Sequence, residues 1–437
     1  MTSAPASSMT ETARTAGDAA RRRTRLRVAY LDSCYPSISH TFVMREIMAL
    51  RKAGVLVDTF SIRTPGSEQI LSRDDHRERD ATCYILPPRW GAMFGAHLRT
   101  FLSRPHKYLA TLAFALGTRP AGFRAALWHL FYFIEAVFLW DRLRRREIHH
   151  LHVHFAMACA TVAMITAHLG DLTYSLTTHG PTVFFNIDQY LVKQKVEHAS
   201  HVHCISDFCR SQIMAHVGPE HWSKLHIVHC GVNTDAYAPA PRGEHDPAAP
   251  RLLCVGRLVP EKAQSLLIRA VARLADEFPG VACTFVGDGP DRPRLEALCR
   301  DLGVTERIKL AGSVSQDEIQ NYYDAADLFV LPSFAEGVPV VLMEAMAKEI
   351  PVISTRIAGI AELIEEQACG LLVPPGNLDA LVEAIRRLLE DSVLRDRLAA
   401  AGRQKVVSDF NMERIGRQIG EILHARLGGG SATEGEA

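Results

Sequence analysis

Two glutamates eight residues apart, Glu336 and Glu344, frame a proline in the run Leu331-Pro-Ser-Phe-Ala-Glu336-Gly337-Val338-Pro339-Val-Val-Leu-Met-Glu344. The run reads as a strand ending at Leu331, a loop carrying Glu336, and a helix beginning near Pro339, a residue suited to the first helical position. The unpaired N–H groups of such a helix start draw an anion. One carboxylate on the loop and one a turn inside the helix suit the hydroxyls of a polyol whose diphosphate meets the helix start. Three further segments share this placement just past a strand. Gly256-Arg257-Leu-Val-Pro-Glu261-Lys262 offers two cations on one loop, fit to neutralise a diphosphate and the charge growing on a leaving group. Gly287-Asp288-Gly289-Pro290 is a tight turn, and Gly312-Ser313-Val314 is a short loop.

The elements that must position these loops alternate strand and helix. Short β-rich runs are expected at Leu26–Leu31, Val55–Ile62, His152–Phe155, Tyr174–Thr178, His201–Ile205 and Leu225–Val228, with an amphipathic helix at Thr41–Ala53. Residues 237–250 carry Pro239, Pro241, Pro247 and Pro250, which no helix or central strand tolerates, so they read as a linker. Alternation then resumes at Leu252–Val255, Ala282–Val286, Arg307–Leu310, Leu328–Leu331, Pro351–Ser354 and Leu371–Val373. Alternation of this kind implies α/β architecture with two doubly wound parallel sheets, whose ligands bind at the carboxyl edges. The expected division is a disordered tail at 1–24, an N-terminal domain at 25–236 and the linker. A C-terminal domain at 251–410 follows, then a helix at 411–427 that can cross back, and a tail at 428–437.

Composition narrows the classes. The 437 residues are 47% hydrophobic and 22% charged with a formal net charge of zero, an ordinary globular balance that gives nucleic acid no field to follow. Ten cysteines are scattered without a single Cys-x-x-Cys, as buried residues of a reducing compartment would be. The first 24 residues lack an apolar signal core, and the apolar stretch Ala121–Trp140 is interrupted by Arg124, His129 and Glu135. A cytoplasmic location is expected.

Taken as a set, these motifs resemble the retaining, GT-B-fold glycosyltransferases of family 4. Glu336 to Glu344 matches the family's Glu-x7-Glu motif, and the Gly-Arg-Leu-x-x-x-Lys, Gly-Asp-Gly-Pro and Gly-Ser-Val segments fall in the family's order. Tyr35-Pro-Ser-Ile-Ser39-His-Thr41-Phe-Val-Met-Arg45-Glu46, His152-Val-His154-Phe155-Ala and Thr178-His179-Gly180 resemble the bacterial exopolysaccharide, colanic-acid-type branch. The resemblance covers residues 26–425 and implies a role for each matched position. Glu344 would bind ribose hydroxyls and Glu336 the donor-sugar hydroxyls. Arg257 and Lys262 would grip the diphosphate beside Gly256, Gly287 and Asp288. The backbone from Gly312 to Val314 would read the base, and Gly337, Val338 and Pro339 would line the donor. His179 would approach sugar and acceptor, with Ser39, Thr41 and His154 on the acceptor side. The implied reaction moves a hexose from a nucleotide-diphosphate sugar, UDP-linked by family frequency, to a saccharide, lipid-linked or small-molecule hydroxyl. No metal and no cofactor are implied, since Asp288 and Asp291 do not form a chelating Asp-x-Asp. Two departures stand out: Tyr35–Thr41 replaces the family's frequent Gly-Gly loop, and Asn233 replaces an aspartate after Gly231-Val232.

Other readings share these residues. Rearrangement of a nucleotide sugar on the same double fold would need a catalytic acid pair in the cleft, and a nucleotide-sugar sensor would bind without turnover. His150, His152 and His154 alternate onto one strand face, inviting a metal, yet no Cys, Asp or Glu lies among them at ligand spacing; strand-edge packing or acceptor contact suits them better. Residues 97–147 hold nine Lys/Arg against Glu135, Asp141 and Glu147, a local +6, interleaved with Trp128, Phe131, Tyr132, Phe133, Phe138 and Trp140. Such a block suits a peripheral contact with an anionic membrane as well as a helical insertion with a solvated face.

Overall fold

The computed structural model describes residues 26–37, 40–240, 246 and 248–427. Both terminal tails, Ser39 and residues 241–245 and 247 of the proline-rich linker therefore lie outside the described residues. Within them the chain folds into two parallel sheets. The first has seven strands in the order β3-β2-β1-β4-β5-β6-β7, namely β1 Arg27–Cys34, β2 Leu56–Arg63, β3 Cys83–Leu86, β4 His150–His154, β5 Thr173–Thr178, β6 His201–Cys204 and β7 Leu225–Ile227. The second has six in the order β10-β9-β8-β11-β12-β13, with β8 Arg251–Val255, β9 Ala282–Val286, β10 Ile308–Gly312, β11 Leu328–Leu331, β12 Val352–Thr355 and β13 Leu371–Val373.

Strand β3 is absent from the sequence expectation. Its four residues, Cys83-Tyr-Ile-Leu86, are an apolar run, but a short one that buries only Ile85 fully. Elsewhere strands and expectation agree to within three residues, the widest gap being the end of β1 at Cys34 against the expected Leu31. The cores follow the same logic: strands such as Leu328-Phe-Val-Leu331 are buried end to end, as a parallel sheet covered on both faces requires.

The order of strands decides which loops meet. In each sheet the winding reverses once, between β1 and β4 and between β8 and β11. Loops leaving the carboxyl ends on either side of a reversal diverge and open a crevice. The cation loop follows β8 and the acid loop follows β11, so they face each other across the second reversal. The helix Thr41–Lys52 follows β1, His154 ends β4 and His179 follows β5, so these converge at the first.

The last helix, Met412–Leu427, returns to the first sheet. Its Met412, Ile415, Ile419 and Leu423 form one apolar cluster with Val28, Tyr30, Val43, Ile47 and Leu50. Asn233 has a local duty here: its side-chain oxygen accepts from the N–H groups of Asp235 and Ala236, at 3.1 and 3.2 Å, closing the turn that leaves the first domain. Aspartate could accept the same bonds, which accounts for the exchange.

The basic block forms three helices, Trp90–Ser103, Pro105–Gly117 and Phe123–Arg145. The last is long and apolar enough to cross a bilayer by length and composition. Its second half, from Phe133 to Leu143, is buried in the first domain. The arginines that close it all contact the fold, although Arg144 and Arg145 remain exposed. Arg142 lies over the Phe138 ring and Arg144 over Trp140, while Arg145 pairs with Asp141 at 3.0 Å and Arg146 with Asp58 at 3.1 Å. Large apolar side chains of this region are exposed as well, with Phe123, Trp90, Leu102 and Phe94 each more than two-thirds exposed.

Candidate active site

On the C-terminal side the floor is backbone. Gly256, Gly287 and Gly312 end three adjacent strands, all with positive φ of 156°, 136° and 79°. Gly287 N–H donates to the Gly312 carbonyl at 2.8 Å, and a Cβ on Gly287 would stand 2.2 Å from the Gly256 carbonyl oxygen. Only glycine fits there, and the result is a flat surface that a ligand can approach closely. Arg257 is exposed above it, as is Asp288, whose carboxylate accepts from the Gly289 N–H at 2.7 Å. Val314 is half-buried in the loop beyond Gly312.

The acid loop closes against the cation loop. Phe334 N–H donates to the Glu261 carbonyl at 2.7 Å. Lys262 Nζ then donates to Glu336 Oε1 at 2.5 Å, and Ser333 Oγ donates to the same oxygen at 2.7 Å. Glu336 is buried. A cation and an acid assigned to neighbouring parts of one ligand are thus in direct contact.

The following helix spans Val340–Ala347, with Pro339 as its capping residue (φ −72°, ψ 120°), so the helix starts one position later than expected and the proline precedes its first residue. That position keeps the helix start free of a side-chain cap and of acids in the first turn, leaving its N–H groups to an outside acceptor. Glu344 sits on the buried side of this helix. Tyr323 donates to its Oε2 at 2.7 Å, and Arg45 of the first domain reaches its Oε1 at 2.6 Å. Burial, then the carboxylate of Glu344, hold the Tyr323 phenol well above its usual range.

The first domain supplies a different kind of edge. His154 Nδ1 and His179 Nε2 are 2.8 Å apart, and His154 Nε2 lies 3.4 Å from Glu46 Oε1. Tyr30 donates to that same Glu46 oxygen at 2.7 Å. Despite its nearness to Glu46, His154 Nε2 makes no hydrogen bond among the described residues. The contact between His154 and His179 is therefore what orients the two rings, and either nitrogen of that contact can carry its proton. Burial, then the neighbouring His154, press the His179 pKa well below the ordinary histidine value. Thr41 opens the helix that carries Glu46, half-buried, at the rim.

The alternating histidines do share a face, but β4 lies between β1 and β5 and is no edge. His150 meets Thr173 and Ser175, and His152 meets Ser175 and Thr177, all at 2.8–2.9 Å. Their rings pack on His201 and His203 of β6. Glu46 does come within ligand distance of His152 and His154, a neighbour that spacing along β4 does not reveal. Both ring nitrogens of His152 are already met by hydroxyls, which accounts for them without an ion.

The two edges touch. A Cβ on Gly337 would stand 2.2 Å from the His179 carbonyl oxygen. Glu362 accepts from the N–H groups of Asp207 and Phe208, at 2.7 and 2.8 Å, capping a helix of the opposite domain. Arg45, Glu46, Tyr323 and Glu362 were not singled out from sequence. Arg45 and Glu46 lie in the quoted Tyr35–Glu46 segment, whereas nothing local marks Tyr323 or Glu362.

Residues 40–236 match the family model "Glycosyltransferase Family 4", and residues 241–405 match "Glycosyl transferases group 1". The chain belongs to the family 4 glycosyltransferases. Among relatives of this glycosyltransferase, amylovoran biosynthesis glycosyltransferase AmsK of Erwinia amylovora is 34% identical over 46% of this chain and 50% of its own length. The putative colanic acid biosynthesis glycosyltransferase WcaL of Escherichia coli is 34% identical over 46% and 51%. A GDP-mannose-dependent alpha-(1-6)-phosphatidylinositol monomannoside mannosyltransferase of Mycobacterium tuberculosis is 28% identical over 50% and 60%. The aligned region thus spans half to three-fifths of these relatives. Across the whole fold, sucrose-phosphate synthase of Thermosynechococcus elongatus superposes with a TM-score of 0.72 at 21% identity, covering 92% of this chain and 99% of that one. Anabaena Alr3699/HepE, solved with UDP-glucose, gives 0.69 at 18%, covering 92% and 100%. The fold is GT-B.

Proposed function

We propose that this glycosyltransferase moves a hexose, with retention of configuration, from a nucleoside-diphosphate sugar to a saccharide hydroxyl. The observation that carries this reading is the pairing of Glu336 with Lys262 beside an uncapped helix start, 2.5 Å apart and opposite the His179 loop. In the reaction the bond from the sugar C1 to the diphosphate oxygen breaks while the acceptor oxygen bonds to C1 on the same face. The acceptor proton passes to the departing diphosphate. Arg257, Lys262 and the helix start meet the charge that grows there, so the step asks nothing of a metal. Glu336 holds the sugar, Glu344 the ribose, and His179 lies where sugar and acceptor meet.

Uridine is the base favoured by family frequency, while relatives named for GDP-mannose bring guanosine into the comparison. A thermal-shift panel of UDP-, GDP-, ADP- and dTDP-sugars separates them, because only a ligand of the folded state raises the melting temperature. No shift with any member would contradict the reading.

A lipid-linked acceptor on an anionic membrane is the second part of the proposal. It is supported by the exposed Trp90, Phe94, Leu102 and Phe123 beside the exposed basic residues Arg89, Lys107 and Arg124. The apolar side chains lead this contact, while Arg142, Arg144, Arg145 and Arg146 also contact rings and acids of the fold.

A further inference from the structure

Arg45 enters the cleft from the Thr41–Lys52 helix, and its guanidinium is used unevenly. Nη2 donates toward three acceptors: Glu344 Oε1 and Gln316 Oε1, each at 2.6 Å, and the Tyr237 hydroxyl at 3.1 Å. A guanidinium nitrogen of this kind has two hydrogens, so three acceptors overfill it. Nη1, the other prong, is buried and has no hydrogen-bond partner among the described residues. Arginine commonly meets a carboxylate with both prongs. Here one prong is left over, and a buried donor without a partner is costly until a ligand satisfies it. The guanidinium carbon lies 5.3 Å from the centroid of the Tyr237 ring, which holds the group in place.

We propose that Arg45 is a nucleoside-binding residue lent by the N-terminal domain, its Nη1 donating to an oxygen of the ribose diol that Glu344 engages. The inference rests on the donor reading given above. A hydroxyl both donates and accepts, whereas an ionised carboxylate only accepts. The diol therefore gives its hydrogens to Glu344 and keeps oxygen lone pairs that Glu344 cannot meet. A guanidinium N–H beside that carboxylate meets them, so the Arg45–Glu344 pair together matches the diol. Gln316 ties the same arginine to the loop that begins at Gly312, next to the base. The nucleoside is then fully bound only when the two domains stand together, which couples donor occupancy to cleft closure.

The test is calorimetric titration of UDP, GDP and their 2′-deoxy and 3′-deoxy forms into wild type, Arg45→Lys and Arg45→Met. Ligand-free melting checks that each variant folds. Lysine keeps a positive charge for Glu344 but has no second prong, so it decides the matter even if the methionine variant is unstable. Both variants should lose about tenfold in affinity for the ribonucleotide and much less for one deoxy form, shrinking the preference between them by the same factor. Equal losses for all sugars, unchanged binding or tighter binding would overturn the inference, the last by making Arg45 a rival of the ribose. If wild type bound no nucleotide at all, the donor reading would fall, and this inference with it.

Discussion

At the carboxyl edge of the second sheet, Gly256, Gly287 and Gly312 present bare backbone, with the Arg257 side chain exposed above them. At the matching edge of the first sheet, Tyr30, Glu46, His154 and His179 are joined to one another and largely buried. The first arrangement is incomplete without a ligand: flat, cationic, and finished by an uncapped helix start. The second is bonded within itself, apart from His154 Nε2, and presents one oriented imidazole. A nucleotide varies little in shape and is met by backbone and charge, whereas a reacting hydroxyl needs a single group held in place. Closing the cleft brings a place to bind against a place to react.

Acid should separate the two halves most sharply. Burial holds His150 and His201 at about 3, and His152, His179 and His203 well below the ordinary value. The unfolded chain takes up these protons near pH 6.5, whereas the folded one takes up those of His150 and His201 only near pH 3 and those of the other three only well below the ordinary value. Stability is therefore present above pH 6.5 and falls as pH drops toward 3, by about 1.4 kcal/mol per histidine per pH unit at most. Hydrogen exchange at pH 5 should show β4–β6 losing several kcal/mol of protection while β8 and β11 keep theirs. Equal loss in both sheets would break the comparison.

The cations come next. Arg257→Ala and Lys262→Ala should each cost about 2–4 kcal/mol in kcat/KM, the usual loss of an oriented donor to developing charge. Turnover restored by manganese after chelation would show that a metal, not these side chains, carries the charge. The acids should act more gently and differently. Glu336→Gln should lower kcat by roughly tenfold, and Glu344→Gln should raise the donor KM by a similar factor. Wild-type kinetics in both variants would remove them from the site.

The smallest effect concerns the membrane face. Trp90→Ser with Phe123→Ser should weaken sedimentation with anionic vesicles severalfold, as lost apolar insertion does. Charge reversal at Arg142 and Arg144–Arg146 should instead lower the melting temperature, since those groups pair with Asp58, Asp141 and aromatic rings. No vesicle binding by wild type at low salt would leave the apolar face without this partner.

What was legible in the sequence follows from how each feature is encoded. Buried parallel strands are written as apolar runs, so Ala282–Val286, Leu328–Leu331 and Leu371–Val373 could be placed to the residue. The partly exposed β3, Cys83–Leu86, has an apolar run of the same kind that the expectation omits. The glycine turns and the two glutamates were readable because their chemistry is local to a loop. Arg45 was not: it reaches Glu344 across 299 positions, and only the juxtaposition of two domains makes that contact. The histidine face was visible as an alternation, but its meaning depended on which strands flank β4, and strand order is not written in any one segment. The partners of Arg146 were hidden for the same reason, Asp58 and Phe60 lying far back along the chain.

The most direct test of the account is release of nucleoside diphosphate from the sugar nucleotide that raises the melting temperature most, measured in EDTA with and without a saccharide acceptor. Wild type should release it in step with acceptor glycosylation. His179→Ala should lose that turnover while binding the nucleotide as before, because the nucleotide rests mainly on the other domain. Tight donor binding by wild type with no release across a range of acceptors would contradict the account and leave a nucleotide-sugar sensor in its place.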